Sequence, residues 1–165
     1  MTNILNISRK TALLLFVGMF SSPSHANSER DIKFLLQAKH PPPGVVFEVL
    51  ENQETDLVWV IPLIKRYAGQ LREKYPHIKI AVVSHGREEF GLLKENQEKY
   101  QATHLAVKSL VDDAIPLHVC GTHASWNNKA KEDFPDYVDV VPEGPAQLSH
   151  YVREGYDLVV IDKPD

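Results

Sequence analysis

Five short apolar segments recur along the chain and predict five β-strands. They cover residues 44–50, 78–84, 116–120, 138–142 and 156–162. The first is rich in β-branched and aromatic residues, which favour strands. The second, from Ile78 to Ser84, is apolar almost throughout instead of alternating, as is typical of a strand buried on both faces of a parallel sheet. The pattern therefore predicts a buried sheet at the centre of the fold.

Segments that can form helices separate these strands. They cover residues 57–75, 87–93, 100–114, 127–133 and 145–155. In the first of them apolar side chains recur at steps of three and four, and Pro62 predicts either a helix start or a kink. Strands that alternate with helices indicate βαβ units. We therefore expect a three-layer α/β/α fold around a mostly parallel five-stranded sheet.

The first 26 residues have the pattern of a secretory signal peptide. Arg9 and Lys10 precede an apolar run of about ten residues, and Ser24-His25-Ala26 supplies an A-x-A-like cleavage site. The alternative is an uncleaved N-terminus that anchors the protein. We expect cleavage after Ala26 and a periplasmic or secreted protein without membrane attachment. Residues 27–43 would then form an N-terminal extension on the surface of a domain that spans residues 44–165.

The charge distribution argues against nucleic acid as a partner. The chain carries 18 basic and 22 acidic residues, which gives a net charge of −4 with neutral histidines, and it has no basic cluster. Phosphate contacts dominate affinity for nucleic acids, and a basic patch or stripe is their usual footprint. The haem-attachment motif C-x-x-C-H is absent as well, and we expect no cofactor.

The only cysteine, Cys120, ends the third predicted strand. Exported proteins usually pair their cysteines, so a single one is buried and inert, bridged to another chain, or a reactive thiol. Helix-capping residues follow it, and the positive partial charge of a helix N-terminus favours the thiolate. His123 then either pairs with the thiolate and shuttles a proton, or is a solvated loop residue. We predict Cys120 and His123 as the catalytic residues.

Three strand ends carry a polar or reactive side chain followed by a glycine, and they should converge on one pocket. They are His85-Gly86, Cys120-Gly121 and Glu143-Gly144. Ligands of open parallel sheets bind outside the carboxyl ends of the strands. His118 shares a sheet face with Cys120 because the two are two residues apart, so it belongs either to this pocket or to the core. Trp126 either walls the pocket or packs beneath the next helix.

Two alternatives without catalysis stay open. Zinc and copper accept mixed histidine and thiolate ligands, which His85, His118, Cys120 and His123 would supply. The H-x-C-x-x-H spacing is a weak signal of a metal site when no matching pair lies elsewhere. The other alternative is an oligomeric module whose strand-end pocket binds a small anion.

With the strands placed, the sequence resembles the DsrE/DsrF-like family of small sulfur-relay proteins. The likeness lies in the strand ending Val82-Val83-Ser84-His85-Gly86, in His118-Val119-Cys120-Gly121, and in the run from Val140 to Leu148 with Glu154-Gly155-Tyr156 beyond it. The resemblance implies a three-layer α/β/α fold and a homo-oligomer, commonly a trimer or hexamer. It also implies that Cys120 carries persulfide sulfur between a donor and an acceptor, one or both of them proteins.

Overall fold

A five-stranded sheet, parallel throughout, forms the centre of the protein. A computed structural model of the chain describes residues 27–163, and its strands lie in the order β4-β3-β2-β1-β5. The strands are β1 (Gly44–Val49), β2 (Lys79–Ser84), β3 (Leu117–Cys120), β4 (Asp139–Val141) and β5 (Asp157–Val160). Each lies within one of the five apolar segments, so the predicted α/β fold is confirmed.

Within residues 27–163, five α-helices and three short 3-10 helices connect or flank the strands. The α-helices are α1 (Ser28–Gln37), α2 (Leu57–Lys74), α3 (Gln101–Asp112), α4 (Gly121–Trp126) and α5 (Gly144–Arg153). The 3-10 helices cover Arg87–Leu92, Lys94–Asn96 and Lys131–Asp133. Helix α2 begins five residues before Pro62 and runs through it.

The sequence pattern predicts one helix at the wrong residues, 127–133. The α-helix comes earlier, as α4, and only a 3-10 turn remains in the expected segment. Asn128 has a positive φ of 56°, a left-handed conformation that asparagine tolerates and that interrupts a right-handed helix.

Helices cover the two faces of the sheet unequally. Helices α1, α2 and α3 cover one face, and the main core lies there, with Phe47, Ile61 and Leu110 fully buried in it. Helix α5 covers the other face, where Leu148 packs on a small cluster that includes Val46. Successive side chains of a strand point to opposite faces, so neighbouring residues of β1 supply both clusters.

Residues 27–43 belong to the domain more closely than the sequence predicts. We expected an extension on the surface, but α1 packs against α2 and β5. Ile32 and Leu35 are buried in the main core. The hydroxyl of Tyr75 donates to the backbone carbonyl oxygen of Leu35, which ties the end of α1 to the end of α2.

The strand order brings the carboxyl ends of four strands together. From β1 the chain steps outward to β2, β3 and β4, and β5 then returns to lie beside β1. Ser84 pairs with Val119, and Cys120 pairs with Val141, so the last residues of β2, β3 and β4 lie at nearly one level. The segments that follow these strands therefore share one edge of the sheet.

The predicted signal peptide, residues 1–26, lies outside the described residues. None of the helices in residues 27–163 combines the length and the apolar character that crossing a membrane requires.

Candidate functional site

A cavity of about 560 Å³ opens at the carboxyl ends of β1, β2, β3 and β4. A volume of this size is sufficient for a small organic molecule. The predicted residues that line it are His85, Gly86, Cys120, His123, Trp126 and Glu143. The other lining residues are Leu50, Glu51, Asn52, Arg87, Thr122 and Pro145.

Cys120 is both the last residue of β3 and the N-cap of α4. Its Sγ accepts hydrogen bonds from the backbone N–H groups of His123, at 3.4 Å, and Gly144, at 3.3 Å. Gly144 is the first residue of α5, so the sulfur faces the N-termini of two helices. Amide donors and the positive ends of helix dipoles both favour a thiolate over a thiol.

Glycine at position 144 allows this close approach. A Cβ at that position would lie 2.8 Å from the Cβ of His85 and 3.4 Å from the Cβ of Cys120. The first distance is shorter than real Cβ contacts, so any larger residue would move α5 or displace His85. The absence of a side chain at Gly144 therefore allows its N–H to lie this close to the sulfur.

Glu89 lies behind the thiol and is completely buried. Its Oε2 accepts a hydrogen bond from the backbone N–H of Cys120 at 3.0 Å, and its Oε1 lies 3.0 Å from Nδ1 of His123. Burial raises the pKa of Glu89 from 4.5 to about 8, with the hydrogen bond from Cys120 opposing the shift and the charge of Glu88 adding to it. At neutral pH this carboxyl group is therefore mainly protonated.

His123 is neutral at neutral pH for related reasons. Burial lowers its pKa, and the neighbouring His85 and Arg87 lower it further. Its ring packs against Phe90, with 5.0 Å between the ring centroids. The histidine thus lines the cavity as a neutral ring held from behind by Glu89.

Glu88, the neighbour of Glu89, holds the loops of the cavity and does not face it. It is completely buried, and its Oε1 accepts from the hydroxyl of Ser84 and the N–H of Gly86. Its Oε2 accepts from the N–H of Glu51 at 2.8 Å. One side chain therefore fixes the segments that follow β1 and β2.

His85 is oriented by a partner from the adjacent strand. Its Nε2 lies 2.8 Å from Oε1 of Glu48, and both side chains are largely buried. The pair holds the imidazole ring at the cavity wall, where His85 and Cys120 both lie beside Gly144.

His118 lies outside the pocket in which we expected it. Its Nδ1 lies 2.8 Å from Oδ2 of Asp139, and its Nε2 lies 2.8 Å from the hydroxyl of Tyr151. Tyr151 belongs to α5, and this helix covers the histidine. His118 therefore joins β3, β4 and α5, which is the core role left open by the sequence.

Gly121 and Trp126 differ in their relation to the cavity. Gly121 does not line it, and a Cβ there would lie 2.9 Å from the carbonyl oxygen of Val141, so this glycine lets α4 start beside β4. Trp126 is 76% exposed at the cavity mouth and contacts the ring of His123 edge-on. The alternative in which Trp126 packs beneath the next helix is therefore wrong.

The four residues of the metal alternative do not form one ligand set, because His85, Cys120 and His123 line the cavity whereas His118 lies outside it. Within residues 27–163, no group of three or more histidine, cysteine, aspartate or glutamate side chains could hold a metal ion. Both ring nitrogens of His118 are already engaged with Asp139 and Tyr151, which removes that histidine from the set.

Two carboxylates of the site, Glu89 and Glu48, were not predicted from the sequence. Glu89 stands directly before the apolar run Phe90-Gly91-Leu92-Leu93, and that neighbourhood is a signal that an acidic side chain is buried. Glu48 interrupts an apolar strand in the same way, directly before Val49. An acidic residue inside an apolar segment needs a partner, which here is a histidine in both cases.

Comparison with known proteins supports the fold alone. No protein-family model matches the chain, and no curated protein does. Among solved structures, a protein of unknown function from Methanobacterium thermoautotrophicum is similar, with 19% identity, a TM-score of 0.58, and 71% of this chain and 97% of that chain covered. A conserved protein of unknown function from Bacteroides thetaiotaomicron is similar at 11% identity and a TM-score of 0.50, with 70% and 94% covered. The chain thus has an α/β fold found in other proteins whose functions are unknown.

Proposed function

We propose that this protein carries sulfane sulfur on Cys120, as a sulfur carrier or sulfurtransferase. The observation that supports this best is the pair of backbone N–H groups that donate to Cys120 Sγ at the wall of a cavity. A thiolate stabilised in this way is a nucleophile. The same cavity has room for a terminal sulfur atom and for the molecule that brings it.

The environment of the thiol is unlike that of an inert core cysteine. A structural cysteine usually packs among apolar side chains, where its weak donor and acceptor are of little use. Cys120 instead accepts two N–H groups, and its own backbone N–H is bound by Glu89. Polar groups are costly to bury, so their concentration around a single sulfur atom favours a chemical role.

The loading step is a thiol exchange that needs no oxidant. The Cys120 thiolate attacks the outer sulfur of a hydropersulfide, R–S–SH, and a new S–S bond forms. The S–S bond of the donor breaks, and its electron pair leaves with R–S⁻, while the proton on the transferred sulfur stays with it. The products are a persulfide on Cys120 and a free thiolate. In unloading, an acceptor thiolate attacks the outer sulfur and releases the Cys120 thiolate.

The DsrE/DsrF-like family is the family we propose for this chain. The parallel α/β/α fold supports the proposal, as does the position of the resembling segments at the ends of the neighbouring strands β2, β3 and β4. Export, a trimer or hexamer, and a protein that donates or accepts sulfur belong to the same proposal. The mature protein should begin at Asn27, and light scattering should give a multiple of the monomer mass.

Sulfur loading can be tested directly on the purified protein. Cys120 is the only cysteine, so inorganic polysulfide should add one or two sulfur atoms to the intact mass of the folded protein, and a thiol reductant should remove them. Cys120→Ser should gain nothing. Gly144→Ala, which keeps the thiol and disturbs one N–H donor, should load more slowly.

Two results would contradict the proposed sulfur loading of Cys120. A folded protein that gains no sulfur, although the unfolded chain does, would assign Cys120 to the core. Saturable binding of sulfide or sulfate without any change in covalent mass would instead support the anion-binding alternative.

A further inference from the structure

Glu89 connects the thiol to the histidine through the two oxygens of one carboxyl group. One oxygen accepts the backbone N–H of Cys120, and the other lies beside Nδ1 of His123, each at 3.0 Å. The carboxyl group is completely buried, and it belongs to a different segment from the two residues that it contacts. Glu89 therefore fixes how the thiol segment and the imidazole ring lie relative to each other.

The position of the proton between Glu89 and His123 follows from their distance and their burial. Oε1 and Nδ1 are 3.0 Å apart and buried, and within residues 27–163 neither atom has another hydrogen-bond partner, so a proton belongs between them. A carboxylate beside an Nδ1–H group would bury a net negative charge, whereas a protonated carboxyl group that donates to Nδ1 leaves the pair neutral. The arrangement thus suits a protonated carboxyl group that donates to Nδ1.

The charges around this pair also favour its neutral form. Glu88 lies next to Glu89 in the chain and disfavours a second negative charge there. His85 and Arg87, from the segment after β2, disfavour a positive charge on His123. The remaining charged groups at the cavity are Glu51, after β1, and Glu143, before α5.

We propose that Glu89 is a positioning residue that donates its carboxyl proton to Nδ1 of His123 and thereby keeps a hydrogen on Nε2. A neutral imidazole carries one N–H, so an Nδ1 that accepts requires Nε2 to be the donor. Nδ1 is buried against Glu89 while the ring lines the cavity, which leaves Nε2 as the nitrogen that can reach a ligand.

This arrangement gives His123 a specific task, which rests on the proposed function. Sulfur transfer releases a thiolate from the donor, and a thiolate leaves more readily when a hydrogen-bond donor stabilises its negative charge. The Nε2–H group of His123 is that donor. It helps most when the persulfide is organic and releases a weakly acidic thiol. Inorganic polysulfide, with its better leaving group, depends less on it.

Glu89→Gln tests the proton position because the structure dictates how the amide must lie. Its oxygen must accept the N–H of Cys120, so its NH₂ group faces Nδ1 of His123 and donates at every pH. Nitrogen NMR of the His123 ring in the folded protein should show hydrogen on Nε2 in both wild type and Glu89→Gln at neutral pH. Above the pKa of Glu89, about 8, the wild-type signal should shift towards the Nδ1–H form, while the signal of Glu89→Gln should not.

Two further variants separate positioning from general loss of structure. Glu88→Gln changes an equally buried carboxyl group that does not contact His123. It should keep the shift with pH, but at a lower pH than in wild type, because the charge of Glu88 no longer raises the pKa of Glu89. Glu89→Ala removes the donor, and its ring should populate both N–H forms. With an organic hydropersulfide, Glu89→Gln should keep the wild-type loading rate at pH 7, whereas Glu89→Ala should lose about tenfold or more.

The outcomes distinguish this inference from the proposed function. A His123 ring whose N–H position is the same in Glu89→Ala as in wild type, or which does not respond to pH in wild type, would overturn the role of Glu89. A ring that behaves as expected in a protein that accepts no sulfur would overturn the carrier function and leave the position of the proton established.

Discussion

Replacing Glu89 with glutamine should change how the stability of this protein depends on pH. Burial raises the pKa of Glu89 from 4.5 to about 8 in the folded state. As the pH rises, the unfolded chain therefore loses this proton before the folded protein does. The protonated form of Glu89 therefore stabilises the folded protein. This contribution is fully present below pH 4.5 and is lost progressively as the pH approaches 8. At about 1.4 kcal/mol per pKa unit, the loss from this one residue is about 4 kcal/mol between pH 4 and pH 8.

Glutamine has nearly the shape of the protonated carboxyl group and does not titrate. It can accept the Cys120 N–H and donate to His123, so Glu89→Gln should have about the stability of wild type near pH 4. The difference in free energy of unfolding, variant minus wild type, should then grow by about 4 kcal/mol up to pH 8. Urea denaturation at intervals of one pH unit measures it. The lowered pKa of His123 acts in the opposite sense, with stability lost as the pH falls below its ordinary value of 6.5, but it contributes to both proteins.

Glu88→Gln is the matched control for this experiment. Both oxygens of Glu88 accept backbone N–H groups, from Gly86 and Glu51, so the NH₂ group of a glutamine must face one of these donors. This variant should lose about 1–3 kcal/mol even near pH 4. A Glu89→Gln difference that stays constant from pH 4 to pH 8 would refute the assignment of a protonated buried carboxyl group to Glu89.

Four further substitutions, one of them a control, test separate parts of the structure. Gly144→Ala should lower the free energy of unfolding by about 1–3 kcal/mol because its Cβ meets a neighbouring side chain, whereas Gly69→Ala, with no atom within 4 Å of its Cβ, should raise the melting temperature. His118→Ala should cost about 2 kcal/mol through its two lost hydrogen bonds, and an unchanged alkylation rate of the thiol would separate it from the site. Trp126→Ala should leave the melting temperature nearly unchanged, since the indole is 76% exposed, but should speed alkylation by bulky reagents. Three results would contradict these expectations. They are equal melting temperatures for the two glycine variants, faster alkylation in the histidine variant, and a large loss of stability in the tryptophan variant.

The strands were predictable because burial acts on them directly. A parallel strand between helices must be apolar almost throughout, and Lys79–Ser84 satisfies this over nearly its whole length. Helix α4 was harder to place, because its six residues include no apolar repeat and its start is fixed by a cysteine cap, which is not a usual capping residue. Its end depends on Asn128, whose positive φ leaves only a weak trace in sequence.

The candidate site was predictable where it depends on strand ends and unpredictable where it depends on side-chain direction. Alternation put His118 on the same face as Cys120, which is correct, but the hydroxyl of Tyr151 on α5 decides where the ring points. Glu89 was missed because its role depends on contacts with residues more than thirty positions away. Sequence patterns record which face a residue occupies, and long-range hydrogen bonds decide what it does there.

The most direct test of the carrier function is the state of Cys120 in protein taken from its own host. Protein purified without reductant should be examined by mass spectrometry, both intact and after proteolysis. We predict a fraction in which one or two extra sulfur atoms are located on Cys120 and are released by a thiol reductant. Protein that carries only an unmodified thiol, and that remains unmodified after exposure to inorganic and organic persulfides in the folded state, would contradict the proposed function.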